Sequence, residues 1–63
     1  MKTAIFKVKC DMRNSKYIIK AQNPEYTKYD SMYTDLGTLM KATLAITNEL
    51  RLKNVKARFQ YEY

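Results

Sequence analysis

The sequence predicts an α+β fold of order β-β-α-β, in which a three-stranded antiparallel sheet carries one amphipathic helix on one face. Two observations predict it. Apolar and polar residues alternate near both ends of the 63-residue chain, which is the pattern of half-buried strands. Between these ends, from Thr34 to Lys53, apolar residues recur at the three- and four-residue spacing of one helical face. We expect one small domain over residues 1–63.

The first two strands are predicted to form a hairpin around Asn14 and Ser15, at the centre of a two-residue turn. The inward positions of the first strand, residues 2–12, are Ala4, Phe6, Val8, Cys10 and Met12. In this register Cys10 faces Ile19, and on the opposite face Lys9 lies opposite Lys20. Such a like-charge pair costs stability unless solvent screens it or an anion binds it. Asn23-Pro24 ends the second strand.

The helix is predicted to begin with Thr34 as its N-cap and to end near Asn54, which tolerates the left-handed conformation. We interpret its apolar face as the cover of a thin core, and this face comprises Leu36, Leu39, Met40, Ile46 and Leu50. Leu44 and Leu52 lie beside it and either widen the core contact or meet a second subunit. The third strand opens at Val55, and its inward positions are Val55, Ala57, Phe59, Tyr61 and Tyr63. The simplest topology has spatial order 2-1-3.

The sheet face opposite the helix is predicted to be basic. Twelve Lys and Arg residues against six Asp and Glu give the chain a formal charge of +6, which favours polyanionic partners and nucleic acid above all. The alternative is that this charge only keeps a small protein soluble. Because cations neutralise phosphates whatever the base sequence, we expect binding without sequence readout. The expected phosphate-binding residues are Lys7, Lys9, Arg13, Lys16, Lys20, Lys56 and Arg58.

Three tyrosines in the polar connection before the helix, Tyr26, Tyr29 and Tyr33, are candidates for contact with a partner. Tyrosine is a rigid, amphipathic anchor that is favoured at interfaces. The sheet edges also favour strand addition, including homodimer formation. The alternative hypothesis is therefore an accessory protein of a phage or mobile element that binds and regulates or inhibits a host protein. Frequent Lys, Tyr, Asn and Ile residues agree with an AT-rich bacterial or phage source.

Enzyme chemistry has little support in the sequence. The chain has no histidine, one cysteine and no glycine-rich loop, so it offers no imidazole base, no zinc ligand set and no internal disulfide. We expect no catalytic residue, no cofactor, no metal and no small-molecule substrate. Cys10 is predicted to be a small buried core residue. The chain has neither a signal-peptide pattern nor an apolar run of membrane length, so we expect a cytoplasmic protein without membrane contact.

Overall fold

The predicted α+β class is confirmed by the computed structural model, which describes residues 2–62. One α-helix accompanies a mixed, four-stranded sheet of order β3-β2-β1-β4. The elements in chain order are β1 (Lys2–Asp11), β2 (Lys16–Ala21), a 3₁₀-helix (Pro24–Tyr29), β3 (Ser31–Tyr33), α1 (Leu36–Arg51) and β4 (Val55–Glu62). Tyr63, which the sequence places at the end of the last strand, lies outside the described residues.

The prediction of a purely antiparallel sheet is wrong, because β4 runs parallel to β1. The physical reason is the short strand β3, which pairs antiparallel with β2 and reverses the chain once more before α1 begins. Without β3, the last strand would run antiparallel to β1, as predicted. With it, α1 returns across the sheet in the opposite direction and β4 leaves parallel to β1. The predicted neighbours are kept, since β1 still lies between β2 and the last strand.

The hairpin between β1 and β2 has a longer turn than predicted. Cys10 lies opposite Tyr17 and Lys7 opposite Lys20, so the predicted register is wrong by two residues. The Asp11 carboxylate accepts hydrogen bonds from the backbone nitrogen of Asn14 (3.3 Å) and from its Nδ2 atom (2.8 Å). Ser15 adopts a φ of 51°, and residues 12–15 together form the turn. Because the error is an even number, the side chains of β1 and β2 keep their predicted faces of the sheet. Met12 is the exception: it is predicted to point inward, but it lies in the longer turn and is 68% exposed.

The core lies between the sheet and α1, and Phe6 is at its centre. Phe6 is fully buried, its ring stacks on Phe59 at 5.2 Å between centroids, and the Tyr29 ring meets it edge-on at 6.1 Å. The other buried residues come from β1, β2, the 3₁₀-helix, α1 and β4. They are Ala4, Val8, Cys10, Ile19, Ala21, Tyr26, Leu39, Thr43, Ile46, Leu50 and Val55.

Two residues of the predicted helix face are not in this core. Leu36 and Met40 are 55% and 56% exposed. The buried row of α1 lies one position away, at three- and four-residue spacing, and consists of Leu39, Thr43, Ile46 and Leu50. Leu36 and Met40 lie on the next row. The N-cap is Asp35 rather than Thr34, since the Asp35 carboxylate accepts a hydrogen bond from the backbone nitrogen of Thr38 at 2.9 Å.

Two side chains attach the connection after β2 to the sheet. Asn23 Oδ1 accepts a hydrogen bond from the Ile5 backbone nitrogen at 3.0 Å, and Asp30 Oδ1 accepts one from the Ala21 backbone nitrogen at 2.7 Å. They flank the 3₁₀-helix on both sides. The connection is therefore a folded part of the molecule, with a helical turn that Asp30 ends.

Replacing Asp30 with alanine is expected to destabilise the protein by about 1–3 kcal/mol, because the Ala21 N–H loses a charged acceptor. Urea unfolding followed by circular dichroism measures this change. Glu25→Ala is the matched control: Glu25 lies in the same segment, is exposed, and contacts Lys2 only at 3.9 Å, so its effect should stay within about 0.5 kcal/mol. Equal effects of the two substitutions would show that the Asp30 hydrogen bond does not hold the segment.

Candidate nucleic-acid interface

The face of the sheet that points away from α1 is defined here as the open face. Successive side chains of a strand point to opposite sides, and Ala4, Phe6 and Val8 are fully buried. The odd-numbered residues of β1 therefore lie on the open face, and the strand registers place the even-numbered residues of β2 and β4 beside them. Six exposed cations share this face: Lys7, Lys9, Lys16, Lys20, Lys56 and Arg58.

The open face holds most of the formal charge of the protein. Its six cations are accompanied by two carboxylates, those of Asp11 and Glu62, so the face contributes +4 of the total of +6. Six of the seven predicted phosphate-binding residues are thus brought together. The seventh, Arg13, is exposed in the hairpin turn after β1.

Two cations of the open face are direct neighbours across the strands, and the others are spread along β1, β2 and β4. Lys7 of β1 lies directly opposite Lys20 of β2, and residues in such positions have Cβ atoms about 4.5–5.5 Å apart. Along β4, Lys56 lies beside Thr3 and Arg58 beside Ile5. Lysine and arginine side chains are long enough to converge from these positions on one extended anion.

Few carboxylates offset this charge. Lys7 Nζ lies 3.6 Å from Glu62 Oε1, and both side chains are about half exposed, so the pair is screened by solvent and weak. The other five cations of the open face have no carboxylate of residues 2–62 within 4.0 Å. Hydrogen bonds from the side chain and backbone of Asn14 lower the pKa of Asp11, which keeps that carboxylate ionised and engaged in the turn.

The open face carries no aromatic ring within residues 2–62. The aromatic residues of the long strands, Phe6, Tyr17, Phe59 and Tyr61, lie on the helix side, as predicted. The apolar members of the open face are the half-buried Ile5 and the exposed pair Ile18 and Met32, which are 40% and 58% exposed and lie opposite each other on β2 and β3. Sequence reasoning missed this pair because β3 is only three residues long and shows no alternation.

The three candidate tyrosines do not lie in an exposed loop, and in this respect the prediction is wrong. Tyr26 is buried in the core, and Tyr29 and Tyr33 pack against it. The 3₁₀-helix and β3 turn these rings inward. The Tyr29 hydroxyl is buried without a hydrogen-bond partner among residues 2–62. Burial raises the pKa of Tyr29, and the Glu49 carboxylate raises it further, so the phenol stays neutral at physiological pH.

Other kinds of site find no support in the part of the chain that the structure describes. Within residues 2–62, no group of three His, Cys, Asp or Glu side chains is placed to hold a metal ion. Among the same residues, no helix has the length and apolar character needed to cross a membrane. Cys10 is a free, buried thiol, in the core position that the sequence predicts.

Comparison with known proteins gives no match: no family model, no curated protein and no solved structure is significantly similar to this chain.

Proposed function

We propose that this protein binds nucleic acid through the open face, by contacts to phosphate groups and without sequence readout or catalysis. One observation carries the proposal: three strands bring six cations together on the open face, where only two carboxylates accompany them. Five of these cations have no carboxylate of residues 2–62 within 4.0 Å. The anion that fits them is a repeating one, and the phosphate backbone of DNA or RNA has this chemistry.

Binding in this mode is driven by the release of counterions from the nucleic acid. Phosphates placed between Lys7 and Lys20 also relieve the repulsion of these two directly opposed ammonium groups. Phosphate contacts carry no sequence information, and the open face adds no aromatic platform for bases among residues 2–62. We therefore expect contacts to the phosphate backbone and similar affinity for unrelated sequences.

Reversing two charges of the open face tests the proposal. The variant Lys9→Glu, Lys20→Glu should bind duplex DNA about a hundredfold more weakly than the wild type, since two charged contacts are lost and repulsion replaces them. Fluorescence anisotropy with labelled duplex DNA, single-stranded DNA and RNA measures the affinities and decides which nucleic acid binds best. Circular dichroism checks that the variant folds.

The matched control is Lys41→Glu, Lys53→Glu, which changes the net charge by the same amount at exposed positions of α1 and of the turn after it. We expect this control to weaken binding only a few-fold, through the long-range field of the protein. Equal losses for both double variants would show that only net charge matters, and equal binding by the open-face variant and the wild type would refute the proposal.

A second candidate function is the binding and regulation or inhibition of a host protein, as an accessory protein of a phage or mobile element. The observation that favours it is the exposed apolar pair Ile18 and Met32 at the β3 end of the open face, because protein interfaces have apolar centres with polar rims. Affinity purification from the source cell with nuclease treatment separates the two functions. One protein partner retained after nuclease favours regulation, whereas loss of all partners favours nucleic acid. For either function we expect the protein to act in the cytoplasm.

A further inference from the structure

The edge of the sheet opposite β3 is formed by β4, and it lies beside an exposed apolar surface. Leu36, Met40 and Leu44 of α1 are 55%, 56% and 62% exposed, and Tyr61 of β4 is 43% exposed. Two shallow grooves join them: Phe59 lies in one with Met40 and Leu44, and Tyr61 lies in the other with Leu36 and Met40. We define the apolar flank as Leu36, Met40, Leu44, Phe59 and Tyr61.

We propose that β4 and the apolar flank bind a second copy of this chain. The two β4 strands pair antiparallel about a two-fold axis, so that the two sheets become one continuous sheet, and the two α1 helices meet on the same side through their apolar flanks. An isologous contact of this kind needs a surface that is complementary to itself. The sequence of β4 meets that requirement.

Charge and the length of the paired ladder together select the register of the proposed pair. Directly opposite residues of antiparallel strands share a face of the sheet. The allowed registers therefore differ by shifts of two residues of one strand relative to the other. When Phe59 lies opposite its own copy, Lys56 of each chain lies opposite Glu62 of the other. Arg58 then lies opposite Gln60, and all of residues 56–62 are paired.

The neighbouring registers are less favourable. Centring the pair on Arg58 places this guanidinium opposite its own copy, which is a directly opposed like-charge pair. Centring it on Gln60 also places opposite charges together, Arg58 with Glu62, but within residues 2–62 it pairs only residues 58–62 and removes Lys56 from the ladder. The register centred on Phe59 therefore has two advantages. It places opposite charges together, and it gives the longest ladder among the registers without a like-charge pair.

The size of the contact agrees with a dimer. With about 200 Å² for a fully exposed large apolar residue, the four exposed residues of the apolar flank supply roughly 430 Å² per chain. The unpaired edge of β4 adds to this area. So do Thr47 and Arg51, which line a third groove beside Val55 at the start of β4. The apolar flank alone thus supplies about half of the roughly 800 Å² per partner of a standard interface. A chain this short also has a thin core, which oligomerisation commonly reinforces.

A charge swap tests the dimer and its register. We expect sedimentation equilibrium of the wild type to show a dimer that dissociates on dilution. Lys56→Glu and Glu62→Lys should each raise the dissociation constant about tenfold, because both symmetric pairs become like-charged. The double variant Lys56→Glu, Glu62→Lys keeps the net charge and restores opposite charges, so it should return the dissociation constant to near the wild-type value. Failure of the double variant to recover would overturn this register.

The apolar flank is tested separately. Leu44→Lys should weaken the dimer more than a hundredfold, because it buries an ammonium group in the contact. Leu52→Lys is the matched control, since Leu52 is 88% exposed at the end of α1 and lies outside the apolar flank, and it should leave the dimer unchanged. A wild-type protein that stays monomeric at every concentration would refute the proposal, as would equal effects of the two leucine variants or a different protein occupying the flank. All these measurements are made without nucleic acid, so their result is independent of the function proposed for the open face.

Discussion

Replacing Phe6 with alanine is expected to leave about half of the protein or more unfolded at room temperature. Phe6 is fully buried and contacts both the Phe59 and Tyr29 rings. A buried Phe→Ala substitution costs about 3–5 kcal/mol through lost burial and the cavity that remains. A domain of this length has a total stability of only about 3–5 kcal/mol. The expected loss therefore equals the whole stability of the fold.

Circular dichroism with urea and thermal unfolding, at one fixed protein concentration, measures this effect. Phe6→Leu should lose less, because leucine fills much of the same volume. Leu52→Ala is a suitable control, since Leu52 is almost fully exposed and surface substitutions usually change stability by less than about 0.5 kcal/mol. A Phe6→Ala variant that unfolds cooperatively within about 1 kcal/mol of the wild type would contradict the central place given to this ring in the core.

The strands with a strong alternating pattern were predictable from the sequence, and the shortest strand was not. β1 and β4 show the period of two over ten and eight residues. By contrast, β3 is three residues long and is held by pairing with β2, which is a tertiary contact without a local pattern. Missing this one strand reversed the predicted direction of β4, because each added element turns the chain once more. A local omission thus became an error of topology.

The faces of the strands were nevertheless predicted correctly, and six of the seven predicted phosphate-binding residues lie on the open face. Face assignment depends only on whether a residue number is odd or even within a strand. The hairpin register shifted by two residues, since Asp11 and Asn14 form a longer turn, and a shift of two leaves the faces unchanged. The tyrosines follow no such rule. The burial of Tyr26 and Tyr29 depends on the 3₁₀-helix that Asn23 and Asp30 attach to the sheet, and that of Tyr33 depends on β3. The sequence carries no periodic signal for either contact.

Salt is expected to weaken nucleic-acid binding strongly. Each phosphate contact to duplex DNA contributes about 0.9 to the slope of log affinity against log salt. If about four of the six open-face cations contact phosphates, the slope is about −3.6, and affinity falls about a hundredfold between about 50 mM and about 200 mM salt. This loss should be nearly the same for unrelated DNA sequences, because phosphate contacts carry no sequence information. Anisotropy titrations at several salt concentrations measure it.

The most direct test of the proposed function compares this slope between the wild type and the variant Lys9→Gln, Lys20→Gln. Glutamine removes the charge of each lysine without introducing repulsion. The proposal predicts that the magnitude of the slope decreases by about 1.8, which corresponds to two lost phosphate contacts on the open face. The same slope in variant and wild type, or a wild-type affinity that does not change with salt, would contradict phosphate binding by this face.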